Sequence, residues 1–154
     1  MQMSIRAAVE DGRGLVVCAR GEQLPFRDSS ISHVGSGVAL PYMFIPVVVK
    51  EVFRVLCPGG SLRISLHPWT MTASELLHAL RHRNLRNTLF RCYILLNGLY
   101  FHLTGRLFRF PLKRARCESF QTKGRITRCL VSAGFNEIRS EISPQFVIQA
   151  VKPL

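Results

Sequence analysis

The feature that most constrains this chain is a run of three elements between residues 31 and 66. The stretch Ile-Ser-His-Val-Gly-Ser at 31–36 reads as a short strand. Pro46 suits the first turn of a helix, where a missing N–H has no carbonyl to serve. Val47, Val48, Val52, Phe53, Val55 and Leu56 give that helix an apolar face, and Lys50, Glu51 and Arg54 a polar one. Pro58-Gly59-Gly60 stops the helix and turns the chain. Residues 61–66, Ser-Leu-Arg-Ile-Ser-Leu, then alternate as a strand does. Strand, helix and strand in that order form the unit of a parallel α/β sheet, closed by a right-handed crossover.

The flanking segments extend the pattern. Residues 4–11 are compatible with a helix ended by Gly12 and Gly14, and the apolar run Leu-Val-Val-Cys-Ala at 15–19 is a buried-type strand. Residues 20–30 are polar loop. Residues 73–83 form a basic amphipathic helix, and residues 85–103 a mostly apolar one, broken near Gly98. Residues 105–113 are basic and aromatic and end at Pro111. Thr122 caps a helix running through Ser132, with Ala133-Gly134-Phe135 as its exit. Residues 137–142 and 146–151 are two closing strands joined at Ser143-Pro144, the one antiparallel element expected.

A chain of 154 residues with 47% hydrophobic content is one domain with a real core, which excludes general disorder. The net charge of +12 is unevenly spread. Residues 81–128 hold twelve lysines and arginines against Glu118 alone, so an anionic partner belongs there. The five cysteines show no CxxC spacing, which fits reduced thiols of a cytoplasmic protein and gives no metal site. No apolar segment of signal-peptide type follows the first charges. Residues 29–49 carry no formal charge and are long enough to span a bilayer, but Gly35, Gly37, Pro41 and Pro46 divide them into strand, loop and helix start.

Three motifs add a resemblance. The run Gly21-Glu22-Gln23-Leu24-Pro25-Phe26-Arg27-Asp28-Ser29-Ser30-Ile31 resembles the GxxLPFxDxSF segment of class I S-adenosylmethionine (SAM) dependent methyltransferases of the ubiquinone/menaquinone, or type 11, group. About thirty residues later, Glu51-Val52-Phe53-Arg54-Val55-Leu56-Cys57-Pro58-Gly59-Gly60-Ser61-Leu62 is similar to that family's ExxRVLkPGGxL. Ser132-Ala133-Gly134-Phe135 resembles its xAGF. The resemblance covers residues 4–66 and 121–152 and implies a Rossmann-like methyltransferase sheet, mostly parallel with an antiparallel C-terminal hairpin. The family's first strands and GxGxG loop have no counterpart here, and residues 1–11 resemble the helix that follows them. One partial methyltransferase domain over 1–154, with a helical insert at about 69–120, is therefore expected, as the product of N-terminal truncation.

The resemblance also assigns residues. SAM is the implied cofactor, with Arg20, Gly21 and Glu22 on its adenine side and Ser36, Gly37, Val38 and Ala39 on its methionine side. Arg20 stands where many members carry an Asp, and Ser32 and His33 replace the usual Asp and its neighbour. SAM is already activated, so positioning supplies much of the rate and no catalytic triad is expected. His67, at a strand end, is the candidate base or orienter; Tyr42, Met43, Trp69, Tyr100 and His102 are candidates for the acceptor side. The alternatives are a satisfied histidine for His67, core packing for Tyr42 and Met43, and a structural role for Tyr100 and His102. Leu24, Pro25 and Phe26 read as packing, and Glu51 and Arg54 as a solvated or ion-paired helix face. The insert alternates apolar, aromatic and basic residues. It suits a helical cap packed on the sheet with solvated arginines, a cover over a small-molecule, apolar or lipid-like acceptor, or a module that meets RNA, an anionic membrane surface or a partner chain.

Overall fold

A computed structural model describes residues 3–7, 15–66, 69–108, 117–142 and 146–154. Its strands are β1 (Met3–Ala7), β2 (Leu15–Ala19), β3 (Ile31–Ser36), β4 (Leu56–Leu66), β5 (Asn136–Ile142) and β6 (Phe146–Val151). Its helices are α1 (Ile45–Val55), α2 (Trp69–Arg81), α3 (Leu85–Thr104) and α4 (Lys123–Ala133), with a 3-10 turn at Leu40–Tyr42. Residues 29–49 thus fold as strand, loop and helix start, and no helix among the described residues is long and apolar enough to cross a membrane.

Four strands form the central sheet in the order β3-β4-β6-β5. β3 and β4 are parallel, joined by α1 as the expected crossover, and β6 is antiparallel to both its neighbours. The α/β, Rossmann-like architecture is the one the strand–helix–strand run predicts. Alternation along the strands decides which face is covered. Leu62, Ile64 and Leu66 of β4 and Ile148 and Ala150 of β6 are buried against Val48, Val49 and Val52 of α1 and Ile126 and Leu130 of α4. Ser61, Arg63 and Ser65 point the other way, and Arg63 is exposed.

Several expectations are corrected. Residues 3–7 are a strand, not part of a helix: Met-Ser-Ile-Arg-Ala alternates, and it pairs antiparallel with β2 from Met3↔Ala19 to Ala7↔Leu15. Residues 8–14 lie outside the described residues. β2 has the expected bounds but sits in this two-stranded sheet, apart from the central one. The closing hairpin is therefore not the one antiparallel element: the β1–β2 and β4–β6 ladders are antiparallel too. β6 enters between β4 and β5, a long-range pairing that no local pattern encodes.

Pro58-Gly59-Gly60 is not a turn outside the strands. α1 ends at Val55 and β4 begins at Leu56, so the three residues form an irregularity inside β4, between the Ile31↔Leu56 and His33↔Ser61 pairs. Gly60 is required there, because a Cβ would stand 2.8 Å from the Cys57 carbonyl oxygen and 3.0 Å from that of Ser32. Gly59 N–H donates to the Lys152 carbonyl, and Lys152 Nζ donates to the Phe53 and Leu56 carbonyls at 2.9 and 2.7 Å. The C-terminal lysine thus completes the exposed acceptors at the end of α1.

α2 starts four residues earlier than expected, at Trp69 rather than residue 73, and ends at Arg81. α3 runs unbroken through Gly98, because the Phe120 ring occupies the place of a side chain: a Cβ on Gly98 would lie 2.2 Å from it. Thr122 precedes α4 as expected but makes no side-chain cap; its Oγ1 bonds His102 Nδ1 at 2.8 Å instead. Gly134 ends α4 in the left-handed region, as the Ala-Gly-Phe exit predicts. The turn expected at Ser143-Pro144 and the end of the basic stretch at Pro111 lie outside the described residues.

Candidate cofactor and acceptor site

The first two motifs prove to be one hydrogen-bonded unit. Arg54, on the polar face of α1, donates from Nη2 to the Leu24 carbonyl at 3.1 Å and from Nη1 to the Phe26 carbonyl at 3.0 Å. It pairs with Glu51 at 2.7 Å and with Asp28 at 2.5 Å. Glu51 Oε1 also accepts the Leu24 N–H at 2.7 Å. The ExxR of the helix therefore holds the LPFxD segment by its backbone, fixing the loop between β2 and β3. The expectation of an ion-paired helix face holds for Glu51 and Arg54, and their partners explain the motif spacing.

The Arg54 guanidinium, bonded to Glu51, holds that carboxyl below its ordinary value, against the opposing effect of burial. A depressed carboxylate contributes stability that is present above its unfolded pKa, about 4.5, and lost as pH falls through the folded value. Glu51→Gln should cost about 1 kcal/mol at pH 7 after solvent screening, and the gap from the parent should narrow on going to pH 3. Urea unfolding followed by circular dichroism at the two pH values checks this.

Held in this way, the loops after β2 and β3 border a narrow apolar cleft of about 60 Å³ between the sheet and α1. Gly21, Phe26, Val34, Ser36, Leu40 and Met43 are among its lining residues. Gly21 is buried, and a Cβ there would meet Met43 Sδ at 2.6 Å, so its bareness lets the two loops pack together. Ser36 ends β3, and its Oγ is buried without a hydrogen-bond partner. Gly37 is exposed, and a Cβ there would find nothing within 4 Å. Val38 is held at φ +47, a conformation costly for a β-branched residue and of the kind that collects at ligand sites. Arg20 is exposed, and its carbonyl accepts the Gln23 N–H in a tight turn. Glu22 has a structural bond: Oε1 accepts the Phe44 N–H ahead of α1 at 3.3 Å. Ala39 leads into the 3-10 turn.

A second, polar cleft of about 300 Å³, open to solvent, lies between Tyr42 and the α2–α3 hairpin. Met71, Thr72, Glu75, Arg91, Glu118 and Ser119 line it. Arg91 Nη1 is 2.7 Å from Glu75 Oε2 and 4.0 Å from Glu118 Oε1, so the cleft holds two carboxylates around one guanidinium. Of the expected acceptor residues, Met43 is in the first cleft and Tyr42 in the second. Trp69 begins α2 and is exposed, two residues before Met71. Tyr100 and His102 line neither cleft: Tyr100 packs edge-on against Phe108, and His102 bonds Thr122. His67 lies outside the described residues, after the end of β4 at Leu66. Glu75, Arg91 and Glu118 escaped the sequence reading, although Glu75 and Glu118 are the only acids between residues 69 and 120. Two isolated acids in so basic a stretch were the available signal.

Comparison with known proteins bears on the fold. Residues 2–64 match the model of a methyltransferase domain family. No curated protein matches the chain. Among solved structures, a SAM-dependent methyltransferase of Methanosarcina mazei is 23% identical, with a TM-score of 0.51 over 88% of this chain and 66% of its own length. Haemonchus contortus phosphoethanolamine N-methyltransferase 2, solved with phosphomonomethylethanolamine and S-adenosylhomocysteine, is 13% identical, with a TM-score of 0.55 over 92% of this chain and 38% of its own. The [4+2]-cyclase SpnF is 14% identical, with a TM-score of 0.51 over 90% of this chain and 55% of its own. The chain spans less than two thirds of each of these structures. A cyclase among them is a reminder that this fold serves more than one chemistry. Residues 2–64 are thus similar to a methyltransferase domain family, and over its described residues the chain shares a Rossmann-like α/β fold with SAM-dependent methyltransferases of known structure.

Proposed function

We propose that this chain carries part of the SAM site and the acceptor site of a SAM-dependent methyltransferase acting on a small molecule. The observation that carries the reading is Ser36. Its buried hydroxyl has no partner, ends a central strand, and lines the cleft that Gly21 and Met43 also border. Ligands of open α/β sheets sit beyond the carboxyl ends of strands, where this hydroxyl stands. A buried hydroxyl without a partner is costly, and a ligand's polar atom removes the cost.

The residues fit SAM in part. Ser36, Gly37, Val38 and Ala39 would take its methionine side, and Arg20, Gly21 and Glu22 its adenine side. When bound, SAM supplies an electrophilic methyl group. No GxGxG segment opens a βαβ unit in this sequence, so the chain by itself is expected to bind SAM weakly. The polar cleft beside Tyr42 is the proposed acceptor site. Its carboxylates and guanidinium favour a small molecule with a polar group over the purely apolar acceptor suggested by composition. Five free thiols suit a reduced, cytoplasmic setting.

Calorimetric titration with SAM tests the reading. Saturable binding is expected with a dissociation constant on the order of 0.1–1 mM, weakened about threefold to tenfold in Ser36→Val. No SAM heat from a folded sample would sink it. A second reading, a non-catalytic methyltransferase-like module, is favoured by the exposed Arg81, Arg83 and Arg86 of the insert. Salt-sensitive binding of an anionic partner without SAM binding would select that reading.

A further inference from the structure

α3 is apolar on two opposite sides, and among the described residues only one of them is buried. Tyr93, Ile94, Asn97, Gly98 and Phe101 face inward and are buried. Leu85, Leu89, Leu96, Leu99 and Leu103 are 79, 64, 62, 50 and 69% exposed. At 100° per residue these five leucines fall within about 80° of arc, on the side of the helix away from the buried residues. They form one stripe along a helix about 30 Å long. On the adjoining α2, Leu77 and Leu80 are 68 and 52% exposed. A monomer rarely leaves so continuous an apolar strip in water, and such strips mark binding surfaces.

Charge selects the occupant. Arg81, Arg83 and Arg86 are exposed at one end of the stripe and Arg106 at the other. No acidic residue occurs between residues 81 and 108. Glu75, the one acid of α2, is paired with Arg91. A second copy of this face would bring like charges together. Nucleic acid would satisfy the arginines but leave the leucines in water. An anionic bilayer surface satisfies both, with leucines at the acyl boundary and arginines among the headgroups.

We propose that the outer face of α3 docks this chain flat on an anionic lipid surface, with Leu85 to Leu103 inserted and the flanking arginines on lipid phosphates. The proposal is independent of methyl transfer. It places the hairpin that borders the polar cleft at the bilayer interface.

The test is co-flotation of the full chain with vesicles. Vesicles of phosphatidylcholine with about 30% phosphatidylserine should carry the chain at about 0.1 M salt and release much of it at about 0.5 M. Phosphatidylcholine alone should carry little. The exposed triple variant Leu89→Glu, Leu96→Glu, Leu103→Glu should keep its circular dichroism spectrum and lose flotation. Arg81→Gln with Arg83→Gln and Arg86→Gln should cut partitioning about tenfold or more. Failure of the parent chain to float would overturn the proposal, as would flotation of the triple Glu variant at the parental level. Sedimentation showing a dimer that the Glu variant dissolves would assign the stripe to a second copy. Binding of poly(U) that the Glu variant retains, without vesicle binding, would assign the arginines to RNA.

Discussion

Replacing Phe101 with Ala is expected to cost about 3–5 kcal/mol, the largest loss from a single apolar truncation in this chain. Phe101 is fully buried, with 0% exposure, and belongs to the main core although it stands on α3 of the insert. The Arg125 guanidinium lies 5.5 Å over its ring and against Gly105, the left-handed residue that ends α3. The benzyl group therefore fastens the α2–α3 hairpin to α4 and the sheet. The Ala variant leaves a cavity, since neighbours close-packed in a core collapse only in part. Urea unfolding at pH 7 measures the loss. A cost below about 1 kcal/mol would mean that the hairpin is not anchored through this residue.

Asn97→Leu is expected to cost a similar amount by a different route, about 3–5 kcal/mol. Leucine keeps the branched skeleton but is bulkier and apolar, so lost hydrogen bonds and overpacking add. Asn97 is 0% exposed. Its Nδ2 donates to the Glu118 carbonyl at 2.9 Å and the Tyr93 hydroxyl at 3.2 Å, and its Oδ1 accepts the Phe108 N–H at 3.0 Å. Tyr93 donates in turn to the Phe108 carbonyl at 2.9 Å, and burial raises its pKa, which keeps that proton in place. The two side chains thus tie Phe108 and Glu118, on either side of residues 109–116, to α3. Leucine would remove the partner of the part-buried Phe108 N–H and a donor to the buried Glu118 carbonyl. Hydrogen exchange gives the local readout: the Phe108 amide should exchange much faster in the variant, more so than amides of β4. Equal protection in the two proteins would contradict the network.

What the sequence made legible follows the range of the interactions involved. β3, α1 and β6 announced themselves through alternation, Pro46 and an apolar face, and their bounds are close to those read from the residues. The link between LPFRD and EVFR was visible only as two motifs in order; Arg54 shows that it is a set of hydrogen bonds. β1 was misread because five alternating residues beside Gly12 and Gly14 also fit a short helix, and only pairing with β2 decides the matter. Gly98 was misread as a break because its reason, the Phe120 ring, lies twenty-two residues away.

The candidate site divides in the same way. The resemblance assigns Gly21 and Ser36 to the cofactor side and Met43 to the acceptor side, and the fold brings all three to one cleft. Tyr100 and His102 were chosen for residue type alone, and α3 turns them toward Phe108 and Thr122. Glu75, Arg91 and Glu118 converge only when α2, α3 and the segment before α4 pack together, so no spacing along the chain could group them.

The central claim is that the loops after β2 and β3 form a SAM-binding edge. Backbone amide NMR of the chain, titrated with SAM, tests it most directly. The account predicts saturable shifts at Gly21, Glu22 and residues 36–39, with the amides of Leu89, Leu96 and Leu103 unmoved. Shifts confined to the α2–α3 hairpin, or none at millimolar SAM, would contradict it.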